Sequence, residues 1–376
     1  MLKGIEKSAE ITEILNLCLQ KNLTFASFRT PNSIYNQLVV QKGSKLHYIL
    51  PEDNYNRLSG FLVSPFDEMN CCKSFLIEPD IYIKGDPSES DFNEIHALES
   101  LPVLSDESHI PEEVSHSEYL KQLNKITDSI QTGKFEKVVL SRVKIIKGNF
   151  IDKLNKIYFK LCDSYPNAFV YIFNAGAHLW IGATPEPLLK AENGYMQTVS
   201  LAGTRSYSEK NTNIGAWNSK ERLEQEYVTR YIAKVLSRFN LKNVELEGPY
   251  TKKAGNLIHL RTDFSFNSAE LKDKLGAFLS ELHPTPAVCG MPKQDCVLLL
   301  RKLEKHKREY YSGFLGPIGI KGQWSLFVNL RCMRVLANNL ALFIGGGITA
   351  DSVPEDEWQE TEIKAETLLS VIRQIN

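Results

Sequence analysis

The sequence predicts a large α+β layered domain, and three observations carry that expectation. Short runs with strand composition recur from Lys137 onward, at 138–146, 169–173, 179–183, 188–191 and 195–201. Long stretches of helical spacing, over 220–239, 271–282 and 294–310, are mixed among them. The two kinds do not alternate strictly, and the chain has neither GxGxxG nor a P-loop run. Nothing therefore points to a doubly wound nucleotide-binding sheet.

The elements follow in order. Met1 to Asn22 is interrupted by Lys3, Glu6, Lys7, Glu10 and Glu13, which suits an amphipathic helix better than a secretion signal. Strands are expected at 46–50 and 75–78. The stretch 85–113 is rich in Asp, Glu, Ser and Pro and lacks periodicity. It divides a variable N-terminal portion, 1–114, expected to pack into the same globular unit, from a core, 115–376. Ser115 and Glu118 form a capping-box pattern, after which Tyr119, Leu120, Leu123, Ile126 and Ile130 recur at helical spacing. Asn193-Gly194 joins two strands as a hairpin. Strands at 324–335 and 340–344 precede a last helix starting near Ser352, which with Glu355 repeats the capping-box pattern; Pro354 fits its first turn.

Lys plus Arg is 44 and Asp plus Glu 45, a net charge of −1, so neither nucleic acid nor an anionic membrane is expected as a partner. No apolar run approaches the roughly 20 residues that cross a bilayer. Seven cysteines, odd in number and without CxxC, fit reduced thiols in a cytoplasm rather than zinc ligands.

Two acidic spacings stand out. On helices, Glu221 and Glu224 would share a face, as would Glu357, Glu360 and Lys364. If the two faces met, four carboxylates would converge and call for a hard cation such as Mg²⁺; otherwise they are solvated helix faces. Lys137 opens an apolar strand on the same face as Val139 and Ser141. A desolvated lysine there could act as a base, and an exposed strand-end lysine is the alternative. Glu186 lies between Pro185 and Pro187, which present its carboxyl rigidly as an acid or as a polar turn residue. Gly345-Gly346-Gly347 could bring backbone N–H groups to a carboxylate or form a tight turn. Arg331 is suited to bidentate carboxylate capture. Arg205 reads as an anion contact or a structural ion pair, and His259 as a core histidine.

Taken in order, Lys137-Val-Val-Leu-Ser-Arg142, Gly182-Ala-Thr-Pro-Glu186, Leu201-Ala-Gly-Thr-Arg205, Lys220-Glu-Arg-Leu-Glu224, His283-Pro-Thr-Pro-Ala-Val-Cys-Gly290, Arg308-Glu-Tyr-Tyr-Ser-Gly313, Gly345-Gly-Gly-Ile348 and 357–364 resemble the chorismate-binding enzyme family. The likeness runs from about Ser115 to Ile375. It implies an α+β sandwich of the anthranilate synthase component I type, with a large, mostly antiparallel sheet core flanked by helices. Within the family the chain is most similar to isochorismate synthases, because Lys137 matches the water-activating lysine and Ala287 stands where salicylate-forming and aminating relatives carry Thr.

The resemblance implies that chorismate is converted reversibly to isochorismate, feeding menaquinone or siderophore biosynthesis. Lys137 would be the base and Glu186 the acid. Glu224 and Glu360 would hold Mg²⁺, with Glu221 and Glu357 behind them. Substrate would meet Gly203, Thr204, His259, Ala287, Tyr311, Arg331, Gly346, Gly347 and Lys364. Gln225 replaces a His that often follows the first metal glutamate. A monomer without an amidotransferase subunit is expected. A salicylate synthase, an aminating synthase and a non-catalytic binder are the rival readings.

Overall fold

The computed structural model of the chain describes residues 9–69, 72–102, 110–208, 213–254 and 257–375. Among these residues the backbone forms two sheets of nine strands. In neighbour order the first holds β14 (Gly290–Met291), β7 (Lys137–Lys147), β18 (Asn339–Ile348), β17 (Cys332–Leu336) and β9 (His178–Thr184). It continues through β8 (Phe169–Ala175), β1 (Thr24–Arg29), β2 (Gln37–Gln41) and β6 (Ile81–Lys84). The second begins with β12 (Glu245–Ala254), β13 (Leu257–Asn267), β11 (Tyr195–Ser206), β10 (Pro187–Glu192) and β16 (Trp324–Val328). It ends with β15 (Phe314–Ile318), β4 (Gly60–Ser64), β5 (Phe75–Ile77) and β3 (His47–Tyr48). The described pairings are antiparallel, β18 against β7 running longest in the first sheet and β11 against β13 in the second.

Side chains alternate across the strands, and in the central strands both faces are buried. In β8, Phe169, Tyr171 and Phe173 point between the sheets, where Phe169 stacks on Phe327 at 4.2 Å. Val170 and Ile172 point outward, into a layer made with α1 (Ala9–Gln20), α4 (Leu154–Ser164) and α8 (Pro354–Arg373). Burial on both sides is why such strands read as unbroken apolar runs. The second sheet is covered by α5 (Ser219–Arg238) and α6 (Leu275–Leu282), through Val228, Ile232, Phe264 and Phe278. A third helical cluster joins α3 (His116–Gln131) and α7 (Lys293–Leu303) to β7. Each fully buried large apolar side chain stabilises this helix–sheet–sheet–helix stack by roughly 1.5–3 kcal/mol. Residues 24–84 supply strands to both sheets, and α2 (Glu89–Ala97) follows them.

Several local expectations hold. Asn193 (φ 51°) and Gly194 (φ 82°) make the hairpin turn between β10 and β11, and Ser115 caps α3 by accepting from the Glu118 N–H. Others are corrected. The helix expected over 294–310 stops at Leu303, because Glu304 and Arg308 turn inward as a buried ion pair. The run 324–335 is two strands in different sheets, β16 and β17, broken where Arg331 adopts φ 50°. Ser352 does not cap α8; its hydroxyl donates to Glu357 Oε1 (2.6 Å) and accepts from the Thr349 N–H (3.0 Å). The strand expected at 46–50 shrinks to two residues. No helix among the described residues is long and apolar enough to cross a membrane.

Candidate active site

The cavity lies where the chain changes sheets. Between β9 and β10 it leaves the first sheet through Pro185-Glu186, and between β16 and β17 it returns through 329–331. The crossings are tied together: the Val328 N–H donates to the Glu186 carbonyl (2.9 Å), and the Thr184 hydroxyl to the Val328 carbonyl (2.6 Å). Ala183 N–H donates to the Arg331 carbonyl (3.0 Å). These bonds fix Glu186 and Arg331, which both line the cavity. Lys137 and Val139 of β7, Gly345 and Gly347 of β18, His259 of β13 and Gly203 of β11 complete the sheet walls. Gly203 (φ 71°) sits in the irregular register between Ala202 and Arg205, a conformation that favours glycine. Glu224 from α5, Glu360 and Lys364 from α8, Ala287, and Tyr311-Ser312 close the remaining sides.

The lining carries opposed charges at close range. Lys137 Nζ lies 2.7 Å from Glu224 Oε1, and Lys364 Nζ lies 2.5 Å from Glu360 Oε1. Lys364 Nζ also donates to the Gly345 carbonyl (3.0 Å). Burial raises the Glu186 carboxyl to about 7, although Lys137, Arg331 and Lys364 pull the other way. Among the described residues none donates a hydrogen bond to that carboxyl. Burial, helped by Arg331, lowers His259 to about 4, so its ring is neutral near pH 7; its Nδ1 lies 3.0 Å from the Gly203 carbonyl and bears the proton for that bond. Tyr311 is pushed up to about 12 by burial and stays a phenol donor.

The four candidate metal ligands fall in the first two turns of α5 and α8, where the helix N-terminus favours anions. Glu224 and Glu360 line the cavity. Glu221 stands outside that lining, held by Arg205 through Nε–Oε1 (2.6 Å) and Nη2–Oε2 (2.9 Å). Arg205 is thereby a structural ion pair. Glu357 is buried at 1% exposure behind Gly346. Among the described residues no three His, Cys, Asp or Glu side chains converge on one point. The donor chemistry nonetheless fits a hard divalent cation, since the two lining carboxylates supply hard oxygen donors and each faces a lysine that a cation could displace. Glycine at 347 keeps that approach open, because a Cβ there would run into Glu224 Oε1 and the Lys137 stem.

The remaining candidates divide. Gly346 faces Tyr119, Glu357 and Thr361 rather than the cavity, while Gly345 lines it beside Gly347. Strand β17 pairs with β18 only as far as Cys332↔Phe343, so the glycine run has a strand partner on its β7 side alone. Ala287 lines the cavity. The Thr204 side chain lies outside the described residues. Gln225 turns to the second sheet, its Nε2 within 2.8–2.9 Å of the Ser200, Thr229 and Thr262 hydroxyls, and anchors α5 there. Sequence reasoning passed over Ser312, a fully buried residue at φ 59° in the lining, because positive φ outside Gly and Asn leaves no compositional trace.

Comparison with known proteins places this geometry. The family model described as chorismate binding enzyme matches residues 87–373. Isochorismate synthase MenF of Bacillus subtilis (strain 168) is 27% identical over 269 residues, 69% of this chain and 56% of that protein. Anthranilate synthase component 1 of Bacillus pumilus is 29% identical over 277 residues, 70% of this chain and 53% of that protein. The chain therefore spans about half the length of these curated relatives. The structure of MenF, the menaquinone-specific isochorismate synthase from Escherichia coli, superposes with a TM-score of 0.77 at 20% identity, covering 95% of this chain and 90% of that one. The antiparallel double sheet and a family match spanning most of its length lead to one assignment: the chain belongs to the chorismate binding enzyme family.

Proposed function

We propose that this chain is an isochorismate synthase, interconverting chorismate and isochorismate. The observation that carries the proposal is the pairing, in one cavity, of an amine, Lys137, with a carboxyl, Glu186, whose burial favours its protonated form up to about pH 7. Water attacking ring C2 gives a proton to Lys137, the ring double bonds shift, and the C4 hydroxyl departs as water with the proton of Glu186. One water enters and one leaves, so the sum is an isomerisation; solvent returns both residues to their starting forms. Neutral His259 and the Tyr311 phenol supply hydrogen bonds, and Arg331 with Tyr311 binds the enolpyruvyl carboxylate.

Glu224 and Glu360 would hold Mg²⁺, with Glu221 and Glu357 supporting through water. The ion, when bound, would neutralise and orient the ring carboxylate. Lys137 and Glu224 would have to part for the carboxylate to hold the cation and the amine to take the proton of water. The Gly347 N–H and Lys364 complete the anion site, and Gly346 lends backbone only.

An aminating role is the second reading, favoured by the similarity to anthranilate synthase; Lys137, which the resemblance ties to water activation, speaks against it. The test is purified protein incubated with chorismate and Mg²⁺, with products separated by chromatography. Isochorismate with little salicylate or pyruvate is expected. Substantial salicylate overturns the assignment, and anthranilate formed with ammonia selects the rival. Ala287→Thr adds a hydroxyl and bulk beside the bound ring and is expected to raise the share of pyruvate elimination.

A further inference from the structure

Three cavity-lining segments that are distant in sequence share one buried anchor. Arg308, 3% exposed, donates from Nη1 to the Val288 carbonyl (2.8 Å) and from Nη2 to the Val139 carbonyl (2.6 Å). Its Nε and Nη2 also hold Glu304, at 2.8 and 2.6 Å. Glu304 Oε1 in turn accepts from both the N–H and the hydroxyl of Ser141, each at 2.8 Å. The Arg308 carbonyl accepts from the Tyr311 N–H (2.9 Å), and its guanidinium lies 4.4 Å from the centre of the Phe66 ring. Neither Arg308 nor Glu304 lines the cavity.

We propose that Arg308 and Glu304 form a positioning clamp for the reaction. They set Lys137 on β7, Ala287 beside Val288, and Tyr311 at fixed mutual distances. The inference rests on the function proposed above. Its physical basis is the planar guanidinium, whose fork reaches two backbone carbonyls and a carboxylate at once; a lysine ammonium, a point charge on a flexible stem, cannot hold the same set in one plane. An ion pair this deep is weak evidence for stability, since two apolar residues of similar volume often serve as well. A role in geometry explains why the charge is spent on the carbonyls of Val139 in β7 and Val288 in the turn before β14, two segments that line the cavity.

The test is Arg308→Lys in the full chain, which keeps the charge opposite Glu304 but loses the fork. We expect kcat to fall about 10²-fold, the scale of a displacement near 1 Å at a reacting group, with KM little changed. Ile14→Val, on the buried face of α1 and outside the cavity lining, serves as a control for lost stability and should leave kcat as it was. Ser141→Ala removes the hydroxyl's bond to Glu304 and its contact with His306 Nε2 (2.9 Å) but keeps the N–H bond to Glu304. It loosens the tie to β7, should lower kcat in the same direction by a smaller factor, and reads the clamp if Arg308→Lys does not fold. Guanidinium ion added to Arg308→Ala should restore part of the lost rate. Unchanged kcat in both Arg308→Lys and Ser141→Ala, or a loss no larger than in the control, overturns the clamp.

Failure of the function itself is read separately. If the unmutated protein leaves chorismate untouched, hydrogen exchange without substrate still decides the clamp. Amides of 137–143 and 285–291 should exchange faster in Arg308→Lys while those of β1 and β8 keep their protection. Uniform loss of protection, or none, rejects it.

Discussion

The helix wall and the crossover wall of the cavity both present glutamates, and the fold treats them in opposite ways. On α5 and α8 each carboxylate has a partner: Lys137 for Glu224, Lys364 for Glu360, Arg205 for Glu221 and Ser352 for Glu357. At the crossover, no described residue donates a hydrogen bond to the Glu186 carboxyl, and burial outweighs the pull of Lys137, Arg331 and Lys364. Under the proposed function, one residue type would serve as anion donor on one wall and as proton donor on the other. The contrast teaches that environment, not identity, assigns the roles.

The largest expected effects separate the walls by what abolishes turnover. Glu224→Gln and Glu360→Gln should lower turnover by at least about 10²-fold and weaken metal and substrate binding together, and exhaustive chelation should remove activity. Full activity after chelation breaks the contrast on the helix side. Glu186→Gln and Lys137→Ala should each cost kcat at least about 10²-fold while metal binding measured by calorimetry stays intact. The high-pH limb of the kcat profile should fall as Glu186 loses its proton, around pH 7.

A stability measurement sharpens the same point. The Glu186 carboxyl titrates near 4.5 when unfolded and near 7 when folded. Between those values the unfolded chain has released its proton and the folded chain has not, so this group's contribution falls as pH rises. Glu186→Gln removes that penalty. Denaturant unfolding should show it more stable than the parent by up to about 3 kcal/mol at pH 8, with the gain vanishing below pH 4.5.

Smaller effects compare the two supporting glutamates. Ser352→Ala strips a hydrogen bond from Glu357, which is buried, and should cost about 1.5–3 kcal/mol. Arg205→Met leaves Glu221 partly solvated and should cost about 1 kcal/mol or less. Thermal melts of the two variants rank them, and a larger loss in Arg205→Met reverses the comparison.

Much of the site was legible because its chemistry is local. Lys137 opens its strand, Glu186 sits between prolines, and the two ExxE spacings fall at helix starts, each written within a few residues. Turn chemistry was equally local at Asn193-Gly194. What escaped was decided by tertiary contacts. The run 324–335 has continuous strand composition, and nothing in it announces that Arg331 breaks it and sends the halves to different sheets. Glu304 and Arg308 have the spacing of a helical ion pair, yet the backbone bonds they make to β7 and the 288 carbonyl outweigh another turn of α7. Strands β1, β2, β4 and β6 are no longer than six residues and went unread although turn residues such as Pro31-Asn32, Gly43-Ser44, Pro65 and Gly85-Asp86 mark their ends, and β13 was noticed only as the surroundings of His259. Ser352 and Glu355 matched a cap that lost to Glu357, a partner the pattern does not weigh.

The cavity also has a position in time. Its last contributions come from α8, which follows every other lining element in the chain and docks by contacts such as Arg142 Nε to the Thr361 hydroxyl, 219 residues apart. Loops that long close slowly, and parts of the site already made gain nothing until they do. A chain still emerging from the ribosome can complete much of both sheets while Glu360 and Lys364 are missing. Catalytic competence should therefore appear in one step once α8 has emerged and docked, and fragments ending before Pro354 should be inert however well their sheets fold.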